Sequence, residues 1–193
     1  MFIAQRYAID WEQLDDSGRL WVGDDAVLTN WPGYGEGILA VADGTVVRAI
    51  DGLPNQVPGA LPLGLDPLQA DGNTVFQRLR DGRIVMYAHM IPGSVTVQAG
   101  DRVVRGQPLG RLGNSGNSSA PHLHLHVVDR NAIFAANGLP YVFSNYAITG
   151  RVASTAAFNR AEATGAPVRL GPVRTGTRRN ELSLDQVIVT WPR

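Results

Sequence analysis

Three of the four histidines in this 193-residue chain recur at alternate positions, His122, His124 and His126. Imidazole is the commonest protein metal ligand and the usual acid or base near neutral pH, so three in one short row suggest a site. The row follows the turn-forming run Gly113-Asn114-Ser115-Gly116-Asn117-Ser118-Ser119-Ala120-Pro121 and alternates with Leu123, Leu125 and Val127. That period-2 pattern predicts a strand with a core face and a face of imidazoles. A polar strand edge facing solvent is the other reading of the same pattern.

The fourth histidine, His89, closes the apolar run Arg83-Ile84-Val85-Met86-Tyr87-Ala88, where a strand hands over to a loop. A hydrolytic zinc site uses three N or O ligands and keeps a fourth position for water. His124 and Asp10 are plausible ligands on two different strands. His122 and His89 are then candidates to accept a proton and to steady a developing oxyanion.

The elements that must position these groups are short. Residues 2–11 alternate as a strand, with Tyr7, Ile9 and Trp11 on one face and Arg6, Ala8 and Asp10 on the other. Residues 12–35 and 51–71 read as long loops, of the kind that wall a site. Two short strands flank Asp43-Gly44, and 73–79 pairs with 83–89 across Arg80-Asp81-Gly82, both turn signals of hairpin type. Residues 94–98, 102–104 and 108–112 continue the meander, and 139–143 is a further strand candidate. The texture then changes: 151–180 is rich in Ala, Thr, Gly and Arg, with one weak helix over 156–163 and a last strand over 186–191. We expect a β domain over 1–150 and a C-terminal extension over 151–193 packed on its core.

Composition narrows the partners. Seventeen basic residues, all arginine, balance seventeen acidic ones, so nothing argues for nucleic acid or an anionic membrane surface. No segment reaches the length of a membrane span, and the start Met-Phe-Ile-Ala-Gln-Arg lacks the features of a signal peptide. Cysteine is absent, which excludes disulfides and thiolate ligands. Twenty-two glycines and twelve prolines among short apolar runs favour an all-β class.

Tyr87-Ala88-His89-Met90, the run from Val97 to Gly110, and Gly113 to His124 together resemble the M23 family of zinc metallopeptidases. These are the LytM and lysostaphin type enzymes that cut peptide cross-links in bacterial cell walls. The resemblance spans roughly residues 4–130 and rests on Pro-His-Leu-His together with Tyr-x-His. It implies an antiparallel β-sandwich of the duplicated hybrid motif type, with the site in a groove walled by loops. It also implies zinc as cofactor, peptidoglycan peptides as substrate, and the cell envelope or the extracellular space as location.

Carried over by position, the resemblance implies His124 and Asp10 as zinc ligands and His122 and His89 as the catalytic pair. The family's remaining ligand is a histidine four residues before the aspartate, and here that residue is Arg6. Guanidinium has donors only and does not ligate zinc. On a shared strand face Arg6 would instead reach Asp10, leaving two recognisable ligands. His126 stands where the family usually has Glu; it is either a substitute ligand beside His124 or a residue that hydrogen-bonds a neighbour or faces water. Leu125, Ala120 and Ala8 are smaller departures, and 51–71 reads as an insertion that shapes or covers the groove.

Two functions follow. One is a zinc endopeptidase acting on peptidoglycan cross-links through metal-activated water. The other is a catalytically degenerate homologue that binds cell-wall peptides or regulates another hydrolase. The run Gly100 to Gly110 also resembles biotinyl and lipoyl carriers and a phosphohistidine carrier. The first two need a lysine that the chain lacks, and the last leaves Pro-His-Leu-His with Asp10 unexplained.

Overall fold

The computed structural model describes residues 3–59, 61–132 and 135–192. The chain divides into two compact units, Met1–Gln13 with Asp24–Leu139, and Leu14–Gly23 with Pro140–Arg193.

Among the described residues the first unit is built on eight strands: β1 Ile9–Trp11, β2 Gly37–Leu39, β3 Gly44–Ile50, β4 Asn73–Leu79, β5 Ile84–Met90, β6 Arg102–Val103, β7 Pro108–Arg111 and β8 Leu123–Val128. Six of them form one antiparallel sheet in the order β1-β8-β5-β4-β3-β6, and β2 pairs with β7 in a second sheet. The chain is therefore mostly β and antiparallel, as its turns and alternation predict.

The β4–β5 hairpin forms across Arg80-Asp81-Gly82, with Gly82 at φ 89°. Asp43-Gly44 does not close a hairpin. After Leu39 the chain switches sheets, so β2 stays with β7 while β3 joins β4 and β6. A turn signal fixes a local change of direction, and the strand partner is chosen by packing elsewhere.

β5 is buried along all of its residues and lies at the centre of the sheet between β4 and β8. Phe76, Ile84, Met86, Ala88 and Val128 pack together there with Ala136. β8 is also covered on both faces, with His124 only 7% exposed and His126 only 3%. Its histidines thus belong to the interior, which removes the solvent-facing edge reading.

The N-terminal segment departs from its expected strand. Only Ile9–Trp11 pairs, while residues 4–7 form a turn closed by Ala8 N–H donating to Gln5 O at 3.1 Å. Phe2, expected to begin that strand, lies outside the described residues.

In the second unit β9, Tyr146–Arg151, pairs with both β10, Gly176–Arg178, and β11, Val187–Thr190. Residues 139–143 form no named strand; Phe143 makes a single bridge to Glu181. Helix α1, Thr155–Thr164, is capped at one end by Ser154, whose Oγ accepts from Ala157 N–H at 3.2 Å. Gly165 ends it in the left-handed conformation, at φ 63°. Among the described residues no helix is long and apolar enough to cross a membrane.

Candidate active site

The site lies on the six-stranded sheet, where β1 lies against β8 and β5 lies on its other side. Asp10 and His124 are direct cross-strand partners, so their side chains rise from the same face. His124 Nδ1 meets Asp10 Oδ1 at 2.6 Å, and His122 Nε2 lies 3.5 Å from the same oxygen. His89 completes the group, with its ring centroid 4.6 Å from that of His122 and 5.8 Å from that of His124. The ligand atoms of His89, His122 and His124 all fall within 4.8 Å of one another.

Loops fix the two outer imidazoles. His89, the penultimate residue of β5, lies in the left-handed region at φ 62°, a conformation that costs a non-glycine residue about 1–3 kcal/mol and persists only where surroundings enforce it. Here its N–H donates to Asp71 O at 3.0 Å and its Nδ1–H to Ser115 O at 2.7 Å. His122, just ahead of β8, donates Nδ1–H to Ala120 O at 2.8 Å. In both rings Nε2 is left as the unprotonated acceptor.

Sequence reasoning missed the supports of this arrangement. Asn73 is fully buried; its side chain spans the 2.8 Å bonds to Leu53 N and O and a 2.9 Å bond to Met90 O. Ser115 Oγ accepts from Asn73 N–H at 2.9 Å and donates to Met90 O at 2.7 Å, so the carbonyl that holds His89 is itself held. Asn114 bonds Asn55 and Gln56, fastening the 51–71 loop onto the turn before the histidine strand. The close approach of these loops needs glycine. Gly116 sits at φ 80°, and a Cβ there would collide with the backbone N of Gly72. The signal available in the sequence was Asp71-Gly72-Asn73 facing Gly113-Asn114-Ser115-Gly116, a pairing that only the fold creates.

Arg6 and His126 fall elsewhere than expected. Arg6 lies in the exposed turn ahead of β1, and among the described residues it forms no ion pair with Asp10. Strand alternation stops at Ile9, so the shared face that would have joined them does not exist. His126 Nδ1 lies 2.9 Å from His124 Nε2, the nitrogen opposite the one that meets Asp10, and it is outside the converging trio. Beside it opens a cavity of about 360 Å³, lined in part by Phe76, Met86, Val128, Ala70 and Asp71.

Burial sets the charge state of the cluster. It pulls His89 down to about 3, with the neighbouring charge of His122 adding to the effect, and holds His126 at about 4. His122 is lowered as well, again chiefly by burial. Burial would raise Asp10, but the hydrogen bond from His124 and the charges of His122 and His124 outweigh it and leave the carboxyl below its ordinary range. Asp71 moves the other way, raised by burial. Imidazole nitrogens and an ionised carboxylate with no thiolate form the N/O donor set that suits a hydrolytic zinc, so the residues present fit that metal.

The chain is similar to several solved structures and to one family model. The catalytic domain of the antimicrobial peptidase lysostaphin from Staphylococcus simulans is 27% identical, over 54% of this chain and 68% of its own, with TM-score 0.41. An M23 peptidase-type protein from Pseudomonas aeruginosa is 29% identical over 54% of this chain and 37% of its own, TM-score 0.37. A zinc-containing peptidase from Vibrio cholerae is 20% identical over 60% of this chain and 35% of its own, TM-score 0.35. The chain thus spans little more than a third of the length of the last two. The model of peptidase family M23 matches residues 30–135, a range that holds His89, His122 and His124 and leaves Arg6 and Asp10 outside it. Because that match covers more than half of the sequence, the chain belongs to peptidase family M23.

Proposed function

We propose that the chain is a zinc-dependent endopeptidase that hydrolyses peptide cross-links of bacterial peptidoglycan, in the cell envelope or outside the cell. The observation that carries this reading is the convergence of His89, His122 and His124, the last two against Asp10, in a member of the M23 family.

Asp10 and His124 are the pair that holds the metal. Bound there, zinc supplies Lewis acidity towards a peptide carbonyl and lowers the pKa of a water molecule. His89 presents a neutral Nε2, because its Nδ1–H is committed to Ser115 O. That nitrogen is the acceptor for a proton released during attack, and the resulting imidazolium is the donor for the departing amine. His122, anchored in the same way on Ala120 O, faces the same space. The loops fastened through Asn55, Asn73 and Asn114 hold both rings before substrate arrives, so little reorganisation is left for the reaction itself.

The test is digestion of purified sacculi by zinc-loaded protein, with new amino termini identified by mass spectrometry. Cleavage that disappears in His89→Ala supports the reading. Intact cross-links after prolonged incubation with loaded protein would overturn it.

One observation favours a second reading. Position 6 contributes no metal donor, and a site short of a ligand can bind cell-wall peptides without cutting them. Co-sedimentation with sacculi in the absence of any released amine is the outcome that this reading requires.

A further inference from the structure

The position occupied by Arg6 offers no donor, yet the space beside Asp10 is bracketed from two other directions. Asp10 Oδ1 lies 2.6 Å from His124 Nδ1 and 3.5 Å from His122 Nε2. His122 spends its Nδ1–H on Ala120 O, so the nitrogen facing the carboxylate carries a lone pair. A carboxylate oxygen and an imidazole lone pair are both acceptors. Facing one another they gain nothing unless a cation lies between them. Their separation is also close to that of two ligands of one ion, since bonds of about 2.0–2.1 Å in a tetrahedral shell put neighbouring donors about 3.3 Å apart. His89 differs here: its Nδ1–H is likewise anchored, on Ser115 O, but among the described residues it makes no ion-pair contact with Asp10.

We propose that His122 Nε2 replaces the donor missing from position 6, so that the chain holds zinc through Asp10, His122 and His124 and leaves His89 as the one imidazole that moves protons. The second-neighbour geometry suits this role. A ligating histidine is normally oriented by a carbonyl or carboxylate on its other nitrogen, and Ala120 O does that for His122 while His126 does it for His124. Residues 122 and 124 thereby bracket Asp10 from a single segment. This assignment rests on the reading of the site as a zinc centre.

The experiment measures zinc affinity of the full chain near neutral pH by competition with a chromophoric chelator. Wild type, His89→Ala, His122→Ala and His124→Ala are compared, with folding checked by circular dichroism. Losing a ligand must exceed the roughly 10–100-fold effect of losing an outer partner. His122→Ala and His124→Ala are therefore each expected to weaken zinc by more than about 100-fold, and His89→Ala by less than about tenfold. Cobalt gives a second readout: its visible spectrum should change in His122→Ala and stay as in wild type in His89→Ala. His122→Gln provides the same comparison if the alanine variant fails to fold.

Wild-type zinc affinity and cobalt spectrum in the His122 variant would overturn the ligand assignment and leave the peptidase reading standing. Equal loss in His89→Ala would also overturn it, because the imidazoles would then act as a unit. A wild-type protein that takes up no zinc would overturn both readings.

Discussion

His126 Nδ1 stands 2.9 Å from His124 Nε2, so the second histidine of the strand orients the first from behind. A partner of this kind fixes the ring and its tautomer. His126→Phe should therefore weaken zinc binding about 10–100-fold without removing a ligand. His126→Glu should restore it, because a carboxylate also accepts Nε2–H. Chelator competition on both variants decides the matter, and equal losses in the two would exclude the orienting role.

The depressed histidines predict how stability of the metal-free protein varies with pH. His89 at about 3 and His126 at about 4 bind protons less readily folded than unfolded, where histidine titrates near about 6.5. The unfolded state thus holds more protons throughout the interval between these values. Stability is full above about pH 6.5 and falls as the solution is acidified towards about pH 4, by about 1.4 kcal/mol for each unit traversed by each group. Urea unfolding across that interval should show the decline, and His89→Gln should flatten part of it. A profile that rises on acidification would contradict the burial argument.

Gly116 and Gly82 separate collision from backbone strain. Both lie in the left-handed region, at φ 80° and φ 89°, but a Cβ on Gly82 meets nothing within 4 Å while one on Gly116 runs into Gly72. Gly82→Ala should cost about 1 kcal/mol. Gly116→Ala should cost at least about 2 kcal/mol more, since two loop backbones must move apart. Denaturant titration of the pair, interpreted with a common slope, supplies the comparison; equal costs would mean that the loops yield freely.

Arg6 supplies a control. It is exposed and forms no ion pair among the described residues, so Arg6→Ala should change stability by no more than about 0.5 kcal/mol and leave zinc affinity as it was. A tenfold or larger gain in affinity would show that the guanidinium guards the site in solution.

Much of this site was legible because period-2 alternation and a hydrogen-bonded sheet obey the same geometry. His122, His124 and His89 could be picked out from residue type and spacing and Asp10 through the family resemblance, and the cross-strand register does bring Asp10 opposite His124. The same alternation misplaced Arg6, because a pattern of faces continues on paper past the residue at which pairing stops. It also could not say that β2 would leave β3 for β7, a choice made by contacts remote in sequence. The anchors Ser115, Asn73 and Asn114 were illegible for a related reason. Their partners come from loops that meet only after the sheet has formed, and no local spacing encodes that meeting.

β1 has three residues, lies at the edge of its sheet and pairs only with β8. The carboxylate that His124 and His122 share is therefore carried by a three-residue edge strand, while the imidazoles sit on interior strands or the loops tied to them. Short edge strands open at a small fraction of the free energy of global unfolding. Under the proposed zinc assignment, detachment of this one strand would withdraw Asp10 from the imidazoles, so an ion would leave through opening of residues 9–11 rather than through global unfolding.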